Sequence, residues 1–333
     1  MGKGENRKLQ ENNDPLVVGA IGAGTILATV AAAIGGWIGY SALGINHRAK
    51  LTDALSAERR TFASTKTGVV SYYVDRTTSG RPLVLIHSIN AAASAYEMRP
   101  LFEYYRSRRS VYAPDLPGFG FSDRSPRTYS PVLYVDTILD FLETQVRHGP
   151  ADVVALSLSC EFAARAAFEN PDLFHSLTLI SPTGFGKTEG TSNGQLYNLI
   201  AFPLWSQAIY DLIVTPASLR FFLKKSFLGK VDRGLLDYAY ATSHQPGARY
   251  APLLFIGGGM FTSDIYEQAY SQLEVPTLAL YDKDAFTRFD RLPQIVEQRK
   301  NWHAVRISPT SGLPHWEQRD RTIEALEPFW KSA

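Results

Sequence analysis

Seven residues constrain this chain more than any others: Val153-Val154-Ala155-Leu156-Ser157-Leu158-Ser159, an apolar run closing on a serine with a small residue two positions to either side. The Ala-rich stretch Cys160–Ala167 follows at once with a helical pattern. Strand, tight turn and helix in so short a span hold the turn residue at positive φ. A large side chain two positions before or after it would strike the facing element, so glycine is usual there. Ala155 and Ser159 are small enough for the turn to form. Shifting the frame to Ser159 would put Glu161 at a small position, where it does not fit, and Cys160 falls inside the helix. Ser157 is therefore the candidate nucleophile.

The flanking pattern alternates strands with helices. Arg81–Asn90 reads as a buried strand running into a polar loop, and Val111–Asp123 as a strand meeting a Pro/Gly turn. A helix is expected near Pro131–Arg147, a strand over Ala151–Leu156, and another strand with a loop over Leu177–Gly184. Such alternation predicts a mostly parallel, twisted sheet with helices on both faces.

From about Thr67 onward the chain resembles the α/β-hydrolase superfamily. The strand end Leu85-Ile86-His87-Ser88 is similar to that family's His-Gly oxyanion loop, with Ser88 in place of Gly. Asp115-Leu116-Pro117-Gly118-Phe119-Gly120-Phe121-Ser122 matches the family loop after the next strand and is the most specific match. The resemblance implies a Ser–acid–His triad in chain order, because a serine hydroxyl needs a base and the base needs an orienting acid. The acid position falls on Asp284 in the loop after Val275–Tyr281, with Asp282 and Asp290 as alternatives. Two of the seven histidines follow that loop. His303 precedes a strand, at the wrong end of the sheet, which leaves His315 as the candidate base. Here the pattern departs from the family: Gly-His-x-Pro is replaced by Gly312-Leu313-Pro314-His315, so Gly312 or Leu313 stands where the base is expected. Two outcomes stay open: a reshaped loop that carries His315 to Ser157, or a site without its base. The resemblance also implies oxyanion donors at the Leu158 and Ile89 amides, with Asn90 as second choice for the latter.

An aromatic-rich insertion separates Gly184 from Val275, with helices expected over Gln195–Thr215 and Pro216–Leu228. It resembles the family's helical cap and implies an apolar pocket, with Ser88, Asn90, Trp205 and Trp316 as candidate substrate contacts. Gly257-Gly258-Gly259 reads as a hinge or tight turn and lacks the spacing of a phosphate loop.

Pro15 to His47 holds no charged residue, and its Leu16–Leu43 stretch exceeds the ~20 residues a membrane span needs. A cleaved signal would be shorter, so one uncleaved transmembrane helix over 15–45 is expected, on an undetermined side of the membrane. Ala20, Gly24, Ala28, Ala32 and Gly36 recur every four residues, a spacing that would permit self-association. The expected organisation is a polar tail at 1–14, the anchor at 15–45, a linker at 46–66, hydrolase core at 67–184 and 275–333, and the cap at 185–274. A net charge of +2 gives no reason to expect nucleic acid, and one cysteine leaves no internal disulfide. No cofactor or metal is expected. The expected activity is a membrane-anchored serine hydrolase of a hydrophobic ester, with small-molecule or lipid-like substrates. The competing expectations are an inactive binding or scaffold protein, or the same triad turned to thioester, C–C or acyl-transfer chemistry.

Overall fold

The computed structural model describes residues 15–76, 78–146, 149–186 and 194–333, with the side chains of 15–27 outside the description. The chain divides into two compact units, residues 1–45 and 46–333.

The first unit is one helix, α1 (Pro15–Gly44, 30 residues). Among the described residues no helix is long and apolar enough to cross a membrane. The expected span lies partly on side chains outside that set. So do Ala20 and Gly24 of the small-residue stripe, whereas Ala28, Ala32 and Gly36 are exposed. The polar tail at 1–14 is also outside the described residues.

The second unit is built on strands β1 (Glu58–Ser64), β2 (Gly68–Asp75), β3 (Leu83–Ile86), β4 (Val111–Pro114), β5 (Ala151–Leu156), β6 (Phe174–Ile180), β7 (Thr277–Lys283) and β8 (Trp302–Ser311). They form one sheet in the order β1-β2-β4-β3-β5-β6-β7-β8. β2 runs antiparallel to both β1 and β4, and the pairings from β4 to β8 are parallel. Every residue of β3, β4 and β5 is buried, as expected of central parallel strands covered on both faces.

Strand alternation splits the core into two layers. Val84, Ile86, Val153 and Ala155 pack with α3 (Pro131–Thr144) and α4 (Ser159–Glu169) on one face. Leu83, Leu85, Val154 and Leu156 pack with α2 (Arg99–Tyr105) and the C-terminal helix 319–332 on the other. Each such buried aliphatic side chain contributes about 1.5–3 kcal/mol, which fixes the register.

The cap carries α5 (Gly194–Ile200), α6 (Ser206–Ile213), α7 (Pro216–Lys225), α8 (Arg233–Ser243) and α9 (Tyr250–Ile256). The expected continuous helix over Gln195–Thr215 is broken between α5 and α6, where Pro203 lacks a backbone donor and fits no helix interior. Gly257 caps α9 and Gly258 turns at φ 78°, so the triple glycine is a turn. His303 lies inside β8 rather than before it and is exposed, beside Leu278 in register.

Candidate active site

The site is assembled from loops at the C-terminal ends of β3, β5, β7 and β8. Parallel pairing puts Ile86 beside Ala155 and Lys283 beside Ser311, so the chain segments that follow leave the sheet at neighbouring points.

Ser157 stands at φ 54°, the positive-φ turn residue between β5 and α4. Its amide donates to the Ile180 carbonyl at 2.8 Å and its carbonyl accepts from the Cys160 amide at 3.0 Å, so the backbone on both sides is fixed. Ala155 and Ser159 are fully buried. Ser159 does more than stay small, because its hydroxyl donates to the His87 carbonyl at 2.6 Å and ties the helix to the end of β3. Cys160 is buried, its thiol pushed well above the usual range by that burial, which removes it as a rival nucleophile.

The loop after β3 is held by Glu97, a residue the sequence reading did not single out. Its buried carboxylate accepts from the Ser88 amide at 2.8 Å and from the Asn90 side-chain amide at 2.6 Å. Asn90 also donates to the Ser88 hydroxyl and accepts from the Ala92 amide, both at 2.8 Å. Ser88 and Asn90 thus spend their polar groups on shaping the loop. Among the described hydrogen bonds, the Ile89 and Leu158 amides are committed to no other protein group. Below them, Asp115 accepts from the Ala95 and Phe121 amides at 2.9 Å each and braces the Pro/Gly turn. Burial raises its pKa against those two donors.

Asp284 directly follows β7, and Oδ1 accepts from the Phe286 amide at 2.7 Å. Burial raises its pKa, opposed by loop amides. The alternative, Asp282, is engaged elsewhere: it accepts from Arg306 Nε at 2.7 Å and from the Thr310 amide at 2.8 Å. Asp290 is an exposed loop residue. Asp284 faces Gly312, where a Cβ would lie 2.9 Å from Oδ2. Gly312 sits at φ 90°, so the position that meets the acid carries no side chain.

His315 is not joined to either partner. It is fully buried, and Nε2 lies 2.9 Å from the Glu97 carbonyl. A carbonyl only accepts, so Nε2 carries the proton and donates. Among the described residues Nδ1 has no partner. A base for Ser157 needs the opposite tautomer, with Nε2 accepting and Nδ1–H held by the acid. In this geometry His315 shares the Glu97 carbonyl with Trp316 Nε1, which donates at 2.7 Å. Gly-Leu-Pro-His gave warning of this departure but could not say where the ring would point.

Trp316 also stacks on Tyr96 and faces a groove of about 590 Å³ lined by Arg99, Glu103 and Asp232. Trp205 donates to the Leu199 carbonyl at 2.7 Å and stacks near Phe202 in the cap. Glu161 on α4 receives the Thr183 hydroxyl and, at 2.8 Å, the Thr262 amide, so α4 is tied to the chain on either side of α5–α9. Between cap and core, Phe119, Arg124, Tyr210 and Thr242 line a void of only about 10 Å³, scarcely room for one water.

Burial lowers the His315 pKa from 6.5 to about 4, against the Glu97 bond. The folded state resists its protonation, so this contribution to stability is whole above pH 6.5 and is lost as pH falls toward 4. The loss reaches about 3 kcal/mol. His315→Gln keeps an N–H donor for Glu97 and does not titrate. Urea unfolding at stepped pH is expected to show wild type losing stability relative to this variant across that window; parallel curves contradict the buried neutral histidine.

A family model described as "Alpha/beta hydrolase family" matches residues 83–325. The chain belongs to the α/β-hydrolase family. A 2-hydroxymuconate semialdehyde hydrolase from Pseudomonas sp. (strain CF600) is 34% identical over 128 residues, covering 36% of this chain and 44% of that protein. The chain thus spans less than half the length of this curated relative. Among solved structures, a serine hydrolase involved in carbazole degradation superposes with a TM-score of 0.68 at 16% identity, over 84% of this chain and all of that one. A membrane phospholipase A superposes with a TM-score of 0.65 at 18% identity, over 95% of this chain and 96% of that one. At these identities the two structures establish the fold alone.

Proposed function

We propose that this α/β-hydrolase is a membrane-anchored serine hydrolase that opens an ester or related acyl bond of a hydrophobic substrate. The observation that carries the reading is Ser157 at φ 54° above the N-terminus of α4. Its Oγ attacks the carbonyl carbon, the Leu158 and Ile89 amides receive the oxyanion, and water then releases the acyl group. Asp284 is the acid of the site. With His315 turned to Glu97, the Ser157 proton passes to the leaving group or to solvent, and acylation is slow. The uncharged stretch from Pro15 to His47 carries the anchor, and self-association through its small residues belongs to the same reading. A fluorophosphonate probe, which phosphonylates a reachable serine hydroxyl beside oxyanion donors, tests the proposal on wild type beside Ser157→Ala.

The geometry of Asp284 and Gly312 favours a second reading, a binding or scaffold protein without turnover. A folded wild type that takes no label selects it. The matched semialdehyde hydrolase supports a third, in which the same serine serves C–C bond cleavage. Ester and C–C substrates compared on labelled enzyme separate these.

A further inference from the structure

The cap segment from Gly194 to Val231 has a distinctive charge pattern: its one acidic residue is Asp211, and that side chain is buried. Ile200, Tyr210, Val214 and Leu219 turn inward to one apolar cluster. The opposite sides of α5–α7 and their loops are left to solvent, yet they carry large apolar residues. Leu199 is 59% exposed, Leu204 67%, Leu212 58% and Phe221 58%. Phe222 and Leu228 are exposed too. Arg220, Lys224, Lys225 and Lys230 are exposed among them, and Lys225 Nζ lies 4.6 Å from the Phe221 ring centre. Single exposed apolar residues are ordinary, but a concentration of them in one segment marks an interaction surface.

We propose that this face of the cap rests on an anionic lipid surface, with Phe221 and Phe222 in the interfacial layer and the basic side chains among the headgroups. Aromatic and leucine side chains combined with cations, in a segment whose one acid is buried, are what such a surface binds. A second copy of the chain is a poorer fit, because two faces of like charge would meet. His47 pairs with Asp211 at 3.0 Å, Gln245 donates to the Ala49 carbonyl at 3.0 Å, and Tyr238 to the Thr52 carbonyl at 3.1 Å. Residues 47–52 are thus fastened to α6 and α8.

The inference uses the membrane reading for proximity only, and the test separates the two. Phe222→Cys in the full chain is labelled with an environment-sensitive dye; Cys160 is buried and stays silent. Glu324→Cys, exposed on the C-terminal helix, is the control. In vesicles of phosphatidylcholine mixed with phosphatidylglycerol, the dye at 222 is expected to shift to the blue and to be quenched by brominated lipid, while that at 324 is not. Lys225→Gln and Lys230→Gln each lower the docked-to-free ratio about fivefold. A probe at 222 that stays as wet as the one at 324 overturns the proposal. So does a blue shift that follows protein concentration without lipid, which would identify a second copy as the occupant. A chain that fails to float with neutral vesicles refutes the anchor, and the probe on anionic vesicles still decides the cap.

Discussion

Ser157→Ala is expected to take no fluorophosphonate label, where wild type gains a single adduct. The bond forms to Oγ, so its removal leaves nothing to react. Ser159 cannot substitute, because it is fully buried and its hydroxyl is given to the His87 carbonyl at 2.6 Å. The other frame of the elbow is closed by the same contact. Stability should change little, by about 1 kcal/mol or less, since Ser157 holds its turn through backbone bonds to Ile180 and Cys160 that alanine keeps. A thermal melt of the variant checks this. A labelled Ser157→Ala protein, or an adduct mapped elsewhere by mass spectrometry, refutes the assignment of the nucleophile.

The largest structural effect is expected at Gly120. A Cβ there would stand 1.9 Å from the Asp115 carboxyl carbon, and the residue sits at φ 52°. Asp115 cannot retreat, because its two oxygens brace the Ala95 and Phe121 amides in a fully buried site. Gly120→Ala must break that bracing or unfold the turn, at a cost of about 4 kcal/mol or more. Gly149→Ala provides the scale. It too has positive φ, 96°, but nothing lies within 4 Å of its Cβ, so strain alone costs about 1–2 kcal/mol. Denaturant midpoints of the two variants should differ accordingly. Equal losses would mean that backbone strain, not the Asp115 collision, makes glycine necessary.

The parts of this molecule readable in the sequence are those whose physics is local. β5 begins and ends at Ala151 and Leu156 as expected, because a continuous apolar run between turn signals leaves no other buried register. The Asp115–Ser122 turn was legible because only glycine meets its φ values and close approaches. The rest depends on long-range contacts that no local pattern encodes. Glu97 looks like a surface helix residue in sequence, yet its carboxylate shapes the loop at 88–92. His315 was the sole histidine after the acid loop at the right end of the sheet, but its tautomer is set by a carbonyl 218 positions away. Glu161 was weighed only as too large for the elbow; its reach to Thr183 and Thr262 follows from where the cap joins the core.

The most direct measurement is the fluorophosphonate labelling rate of wild type and His315→Gln, side by side, by intact mass. Wild type is expected to acquire one adduct, and the variant to do so within about threefold of its rate, because Ser157 and its oxyanion amides act without His315 as base. Two results contradict the account. A folded wild type that takes no adduct removes the hydrolase, and a folded His315→Gln protein slowed by about 100-fold or more restores His315 as the base.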